Sequence, residues 1–440
     1  MTGARGPEPQ EAGGHRAGRP VSAVIVALML AVFSVDWMTE DLGWLPHPAT
    51  WVIEALIALL AIRAGVTLDR RVLSTAVALL ALTALALGGA VALASGEGPW
   101  RMLLGARATF KYVLLFLVLL TLRLPARAWR GLLRLLLAIV LSQALAAIFQ
   151  WLVLGKRDAK VSGSLQSEAF LAVLVVGALV VLAVFFVTGR PRWRYLWAGL
   201  LFVPPTVGEA KGFFLLLPAG VLAIVPRLAA LRPGRTAAAV VFLAACLAVA
   251  VVAFGRVGGQ SDLTRVLRDP TVIRAALGPP RTASAHAERN PVDVTLAAAA
   301  WSRLSGLLDA WSRVSVSPAR LALGFGLGSR TRTHEEILAG APYYRSPVAT
   351  KLYELGCVGL ALYWLVFHRL LRSVRPLRDS GERFWQALAL AFPGIVATYL
   401  ITDFYTDHSH DIPAFTFWLV AAALVSRAEA DRAPTPPGSG

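Results

Sequence analysis

The chain has 440 residues, of which 57% are hydrophobic and only 16% charged, with a mean hydropathy of +0.63. Those values exclude a water-soluble domain with an ordinary polar surface, so lipid is the expected solvent for most of the protein. The net charge is +17, yet only Lys111, Lys156, Lys160, Lys211 and Lys351 are lysines, and in so arginine-rich a chain position rather than abundance must locate function.

Met1–Pro20 is rich in Gly, Pro and Arg, lacks a small-residue cleavage site after the first apolar run, and is read as a disordered cytoplasmic tail of residues 1–20. A polytopic all-α bundle of about twelve spans is expected, because a crossing takes roughly 20 mainly apolar residues and fewer where protein surrounds it. The first nine spans, within 21–254, are Val21–Val35, Ala49–Ile62, Val72–Ala94, Thr109–Leu122, Leu135–Leu154, Ala169–Thr188, Tyr195–Val207, Gly212–Pro226 and Thr236–Phe254. The last three, within 348–426, are Val348–Phe367, Phe384–Thr402 and Pro413–Ser426, followed by a second disordered cytoplasmic tail, 427–440. Arginines cluster at every second connection, at Arg63/Arg70/Arg71, Arg123/Arg127/Arg130/Arg134, Arg190/Arg192/Arg194, Arg227/Arg232/Arg235 and Arg369/Arg372/Arg375/Arg378. The alternate connections carry Asp36/Glu40/Asp41, Glu97, Glu209 and Asp403/Asp407/Asp411. Positive loops face the cytoplasm, which puts both termini inside; Lys156/Arg157/Lys160 is the main exception.

Residues 255–347 form one long external connection without an apolar run able to cross, and carry twelve arginines against seven acids. Such a surface over a membrane invites an anionic ligand, since guanidinium forks match phosphate oxygens. Within it, Val294–Val316 has a helical stripe of Trp301, Leu304, Leu308 and Trp311, suited to the membrane interface, which would hold Arg303 and Arg313 near headgroup depth. Pro318 and a Gly324-x-Gly326-x-Gly328 run follow; with no strand before it and an external location, that run is not read as a nucleotide loop, and no nucleic-acid partner is expected. Cys246 and Cys357 lie in apolar runs and are read as packing residues.

Several segments resemble, in order and placement, the O-antigen ligase and O-antigen polymerase family of membrane glycosyltransferases. They are Ser302-Arg303, Pro318, Leu323 to Gly328, and Leu352-Tyr353-Glu354-Leu355-Gly356-Cys357-Val358-Gly359-Leu360, with Val161 to Gln166 and Glu209-Ala210-Lys211-Gly212 earlier, over roughly residues 100–425. The resemblance implies transfer of a polyprenyl-pyrophosphate-linked saccharide to a saccharide or lipid-glycan hydroxyl at the outer face of the membrane. It implies no nucleotide, metal or other cofactor, and the sequence has no His-Glu-x-x-His, paired cysteine or Walker lysine. Arg303, Lys211, Arg345 and Arg313 are the candidate catalytic cations, holding the pyrophosphate and stabilising it as it leaves. Lys211 stands where the family has an arginine, and Arg345 where ligases have a histidine, which favours a polymerase or divergent transferase; His334 is the alternative base.

Candidate substrate-binding residues are Arg107 and Lys111 at the mouth of the fourth span, Gly324, Gly326 and Glu354, and Asp403 and His408 in the polar stretch Tyr399–Pro413. Glu354 is also read as the buried partner of an arginine. That polar stretch would orient acceptor hydroxyls, bind a metal or serve as a plain turn. Two other classes remain open: a polyprenyl-monophosphate-dependent transferase with its carboxylate among Asp36, Glu40 and Asp41, and a lipid-saccharide transporter or flippase.

Overall fold

The computed structural model describes residues 18–41, 51–65, 75–155, 161–165, 167–188, 201–205, 211–231, 306–331, 346–405 and 411–432, with isolated positions between 44 and 72 and between 233 and 248. Every regular element among them is helical. The principal helices are α1 (Gly18–Asp36), α2 (Trp51–Gly65), α3 (Ala76–Ala94), α4 (Pro99–Thr121), α5 (Ala126–Leu152), α6 (Ser167–Thr188) and α7 (Lys211–Leu231). They are followed by the short α8 (Pro318–Leu323), α9 (Pro347–Val374), α10 (Arg383–Tyr405) and α11 (Asp411–Arg432). Seven helices, α3 to α6 and α9 to α11, are long and apolar enough to cross a membrane, and α1 and part of α7 are shorter apolar helices. The expected spans Tyr195–Val207 and Thr236–Phe254 lie largely outside the described residues.

Two helices begin earlier than the spans expected within them. The helix holding the expected span Thr109–Leu122 begins at Pro99, and that holding Leu135–Leu154 begins at Ala126. Both extensions pass through arginines, which a hydropathy reading places outside lipid. Arg107 is instead partnered by Glu54 of α2, and Arg130 by Glu382 just before α10. Pro99 at the first helical position gives α4 a preorganised start.

Short connections make α3–α4, α4–α5, α9–α10 and α10–α11 antiparallel neighbours. The starts of α4, α9 and α11 therefore share one end of the bundle, here the loop end, with the C-termini of α3, α5 and α10. At the opposite end Glu382 joins Arg130 of α5 (3.4 Å) to Arg427 of α11 (3.1 Å).

The densest packing is where α10 meets α6 and α7. Gly394 of α10 abuts Gly220 of α7: a Cβ at Gly394 would lie 2.6 Å from the Gly220 carbonyl oxygen and 2.7 Å from Ile224 Cδ1. Without a strong hydrophobic driving force between helices in lipid, such close backbone approach supplies the packing attraction. Nearby, the Phe417 ring of α11 lies parallel to Tyr399, at 4.5 Å between centroids, and to Phe392, at 5.9 Å. Gly394→Val is expected to separate α7 from α10 and destabilise the protein by about 1–3 kcal/mol. A lowered thermal unfolding midpoint in detergent, compared with a matched change at exposed Gly131, which has open space around it, is the check.

Candidate functional site

The loop end is organised by a break in α9. Ser346 caps the helix, accepting from the Ala349 N–H (3.4 Å), and Pro347 begins it. At Gly356 the backbone leaves helical geometry (φ 65°, ψ −169°). The carbonyls of Tyr353 and Glu354 are thereby released from helical pairing and accept from the N–H groups of Phe325 and Gly326, both at 2.9 Å. Leu327 N–H donates to the Gly88 carbonyl of α3 at 3.1 Å. The glycine-rich loop is thus hydrogen-bonded to two membrane helices.

That course demands glycines. Gly324, Gly326 and Gly328 have φ of 73°, 97° and 86°, a region that side chains with a Cβ rarely enter. A Cβ on Gly326 would lie 2.4 Å from the Ala92 backbone. The preceding α8 repeats the local start of α9: Ser317 caps by accepting from Arg320 N–H, and Pro318 follows. The sequence reading names Gly324, Gly326 and Glu354 separately, and the structure joins them. Glu354 is buried, and its Oε1 accepts from Arg330 N–H (3.0 Å), Thr331 N–H (2.7 Å) and Thr331 Oγ1 (2.8 Å). Glu354 is expected to partner an arginine, and it meets Arg330 through that residue's backbone N–H.

Around this junction is a stack that the sequence reading missed. The Phe325 and Tyr353 rings lie parallel at 4.4 Å, with the Arg320 guanidinium 4.6 Å from the Phe325 centroid and that of Arg330 5.9 Å from the Tyr353 centroid. Residues 306–314 are helical, inside the stripe expected over Val294–Val316; they bury Ala310 and Val314 toward α9 and leave Leu308 and Trp311 half-exposed. Arg313 on this helix is exposed and bonds Asp309 at 3.0 Å, a surface pair of small energetic weight.

A second group joins α2 to α4. Glu54 Oε1 accepts from Arg107 Nε (3.0 Å), from Arg107 Nη2 and from Lys111 Nζ (3.2 Å). Arg107 and Lys111, expected at the mouth of the fourth span, lie in the first half of α4.

A third group is buried between α9 and α10. Lys351 Nζ donates to Asp403 Oδ2 at 2.6 Å, and Tyr363 Oη donates to the same oxygen at 2.7 Å. The sequence reading places Asp403 in an external polar stretch; α10 instead continues to Tyr405, and both charges are under 10% exposed. Helical continuation is possible because the carboxylate finds its counter-charge in α9. Lys351 and Tyr363 went unassigned; the only sequence signal was a lysine inside an apolar run, which is costly without a partner.

The early motif Val161–Leu165 is held by two side chains of α5. Gln150 Oε1 accepts from Ser162 N–H (3.2 Å) and Gly163 N–H (3.0 Å), and Gln143 Oε1 accepts from Ser164 N–H (2.8 Å). Lys211 is the first residue of α7, whose antiparallel packing on α10 brings that start to the loop end. Arg303, Arg345, His334 and His408 lie outside the described residues. Among the described residues no three His, Cys, Asp or Glu side chains gather as a metal site. Of the first-loop carboxylates, Asp36 ends α1, and the turn Trp37–Asp41 holds Glu40 and Asp41.

No protein-family model matches this chain, and no curated protein matches it either.

Removing one member of a buried ion pair leaves the other uncompensated, so Lys351→Met or Asp403→Leu is expected to cost about 3–5 kcal/mol, and the Lys351→Met/Asp403→Leu double change much less than their sum. Unfolding midpoints of the three variants in detergent measure this coupling. Gly326→Ala is expected to destabilise by about 2 kcal/mol or more through backbone strain and collision with Ala92, whereas Gly98→Ala, in open space, is expected to stay within about 0.5 kcal/mol of the parent.

Proposed function

We propose that the protein is a membrane glycosyltransferase of the O-antigen ligase and polymerase type. It passes a polyprenyl-pyrophosphate-linked saccharide to an acceptor hydroxyl at the outer face of the cytoplasmic membrane, in synthesis of a cell-envelope or extracellular polysaccharide. In this reading the chain crosses about twelve times, with both termini inside and residues 255–347 outside, and the loop end faces out.

The observation that carries the reading is the junction itself. Two of the sequence segments on which the resemblance rests, Gly324–Gly328 and Glu354–Gly356, are far apart in the chain and hydrogen-bonded to each other. Arg320 and Arg330 flank the junction, and Lys211 begins a helix at the same end. In the proposed reaction Arg303, Lys211, Arg345 and Arg313 hold the pyrophosphate and lower the cost of its departure, while His334 or a neighbouring group takes the acceptor proton. His408 orients the acceptor, the Asp403 carboxylate being held by Lys351 and Tyr363.

The transporter reading is favoured by one observation, the buried Lys351–Asp403 pair, since ionisable groups inside membrane helices commonly mark a transport route. Deleting the gene and identifying the lipid-linked sugars that accumulate, with complementation by the parent or Arg303→Ala, separates the two. A transferase leaves a pyrophosphate-linked oligosaccharide at the outer face, which the parent clears and Arg303→Ala clears about a hundredfold more slowly, the order expected for losing one charge-stabilising group. Accumulation at the inner face alone identifies the transporter. A monophosphate-linked single sugar redirects attention to Asp36, Glu40 and Asp41.

A further inference from the structure

The end of the bundle opposite the glycine junction brings three arginines together from two separate segments. The connection from α9 to α10 is a 3-10 turn, Arg375–Asp379, with Pro376 at its start and Leu377 sunk in the core. Residues three apart in such a turn eclipse one another, so Arg375 and Arg378 line up on one side of it. Gln386 Nε2 ties the turn to α10 by donating to the Arg378 carbonyl at 2.9 Å. Arg227 comes from α7. It shares a face with buried Ile224 and Leu228, at steps of three and four, and Ile224 lies against Gly394 of α10. Seven residues past the Gly220 contact, about 10 Å along the axis, antiparallel α7 carries Arg227 toward the start of α10 and the turn before it.

Like charge faces like charge in this group. Arg378 is close enough to be repelled by both Arg227 and Arg375, and Arg227 by Arg375. Asp379 is the carboxylate that acts on Arg378, and among the described residues none of the three arginines forms an ion pair. The neighbouring acids are engaged elsewhere: Glu382 with Arg130 and Arg427, and Asp431 with Arg427. Three guanidinium charges against the one carboxylate of Asp379 leave two positive charges over. Arg378 Nε is buried without an acceptor, while Arg227 Nη1 turns back to the Ala223 carbonyl at 3.3 Å. A charged donor left buried and unmatched is costly, and mutual repulsion adds to the cost. The dipole at the C-terminal end of α7 favours Arg227 but does nothing for the other two.

We propose that Arg227, Arg375 and Arg378 form a headgroup site for a two-phosphate anionic phospholipid, diphosphatidylglycerol, in the leaflet at this end of the bundle. Basic pockets between membrane helices suit such headgroups, and guanidinium forks take phosphate oxygens in pairs. Two phosphates supply the two negative charges that the protein lacks. Depth is right as well: Leu377 is in the core while its neighbours Arg375, Pro376 and Asp379 are exposed, so the turn lies where apolar packing gives way to solvent. Leu222, 70% exposed, and exposed Pro226 recur at a step of four on the adjoining side of α7 and give the acyl chains an apolar track. The bound lipid joins α7 to the α9–α10 turn. By the positive-inside orientation this is the cytoplasmic leaflet, away from the outer-face chemistry, and the site does not rest on the transferase reading.

The test is titration of the delipidated full-length protein, in neutral detergent, with diphosphatidylglycerol, phosphatidylglycerol, phosphatidylcholine or inorganic phosphate. Native mass spectrometry reads binding, and the thermal unfolding midpoint reads stability. The parent is expected to bind diphosphatidylglycerol at least tenfold more tightly than either other lipid and to unfold at a higher temperature with it. Arg375→Gln/Arg378→Gln is expected to bind it at least tenfold more weakly, yet to unfold without lipid no lower than the parent, because repulsion is relieved. Arg369→Gln/Arg372→Gln, which removes the same charge from exposed positions of α9, is expected to bind as the parent does. Equal weakening in the two double variants overturns the site and leaves a diffuse positive surface, and unchanged binding in both overturns it outright. Equal affinity for phosphatidylglycerol overturns the two-phosphate assignment, and an equal rise in midpoint with inorganic phosphate overturns the lipid. A lower lipid-free midpoint for Arg375→Gln/Arg378→Gln overturns the repulsion behind the proposal and makes those arginines structural.

Discussion

The loop end depends on two carbonyl groups. Backbone hydrogen bonds inside a membrane protein must be satisfied within the protein, so a helix cannot simply stop pairing at depth. Gly356 interrupts α9, and the carbonyls of Tyr353 and Glu354 are taken by Phe325 and Gly326. The break and the loop support each other: without the loop the two carbonyls would be orphaned, and without the break the loop would keep only its bond from Leu327 N–H to the Gly88 carbonyl. Glu354 extends the same logic to its side chain, whose Oε1 receives the amides of Arg330 and Thr331 where the loop leaves the helix.

Charge follows a related rule. Ionised side chains inside the described bundle are matched across helices rather than along one: Glu54 with Arg107 and Lys111, and Lys351 with Asp403. Each match lets a helix run through residues that would otherwise end it. Both groups belong to the half of the bundle that contains the glycine junction, whereas the opposite end has Arg130 and Arg427 tied through Glu382 near its surface. Polar investment is thus concentrated at the loop end, where α5 adds Gln143 and Gln150 to fix the Val161–Leu165 turn.

Much of the helical order was legible because apolar runs of sufficient length have few other destinies. Sequence reading failed where hydropathy was interrupted by a charge whose partner was distant in the chain. Arg107 and Asp403 were set outside their helices because Glu54 and Lys351 could not be seen beside them. The glycines were legible as positions needing unusual backbone, but their partners Gly88 and Ala92 were not, since nothing in an alanine- and glycine-rich helix marks the turn that another chain segment will touch. The Arg320, Phe325, Tyr353 and Arg330 stack escaped for the same reason: its members are separated in sequence and come together only through the break in α9.

The contact between Gly220 and Gly394 has a mechanical corollary. Two helices that touch backbone to backbone at one point, each with prolines nearby, Pro218 and Pro226 in α7 and Pro393 in α10, are joined as scissor blades are joined at a rivet. Proline removes ladder hydrogen bonds and with them part of the bending stiffness. Lys211 stands nine residues from the rivet, about 13.5 Å along the axis, so a tilt of roughly 10° sweeps the start of α7 through about 2.4 Å while the crossing point stays still. Leverage of that size turns a small rotation deep in the bundle into a change of width at its mouth.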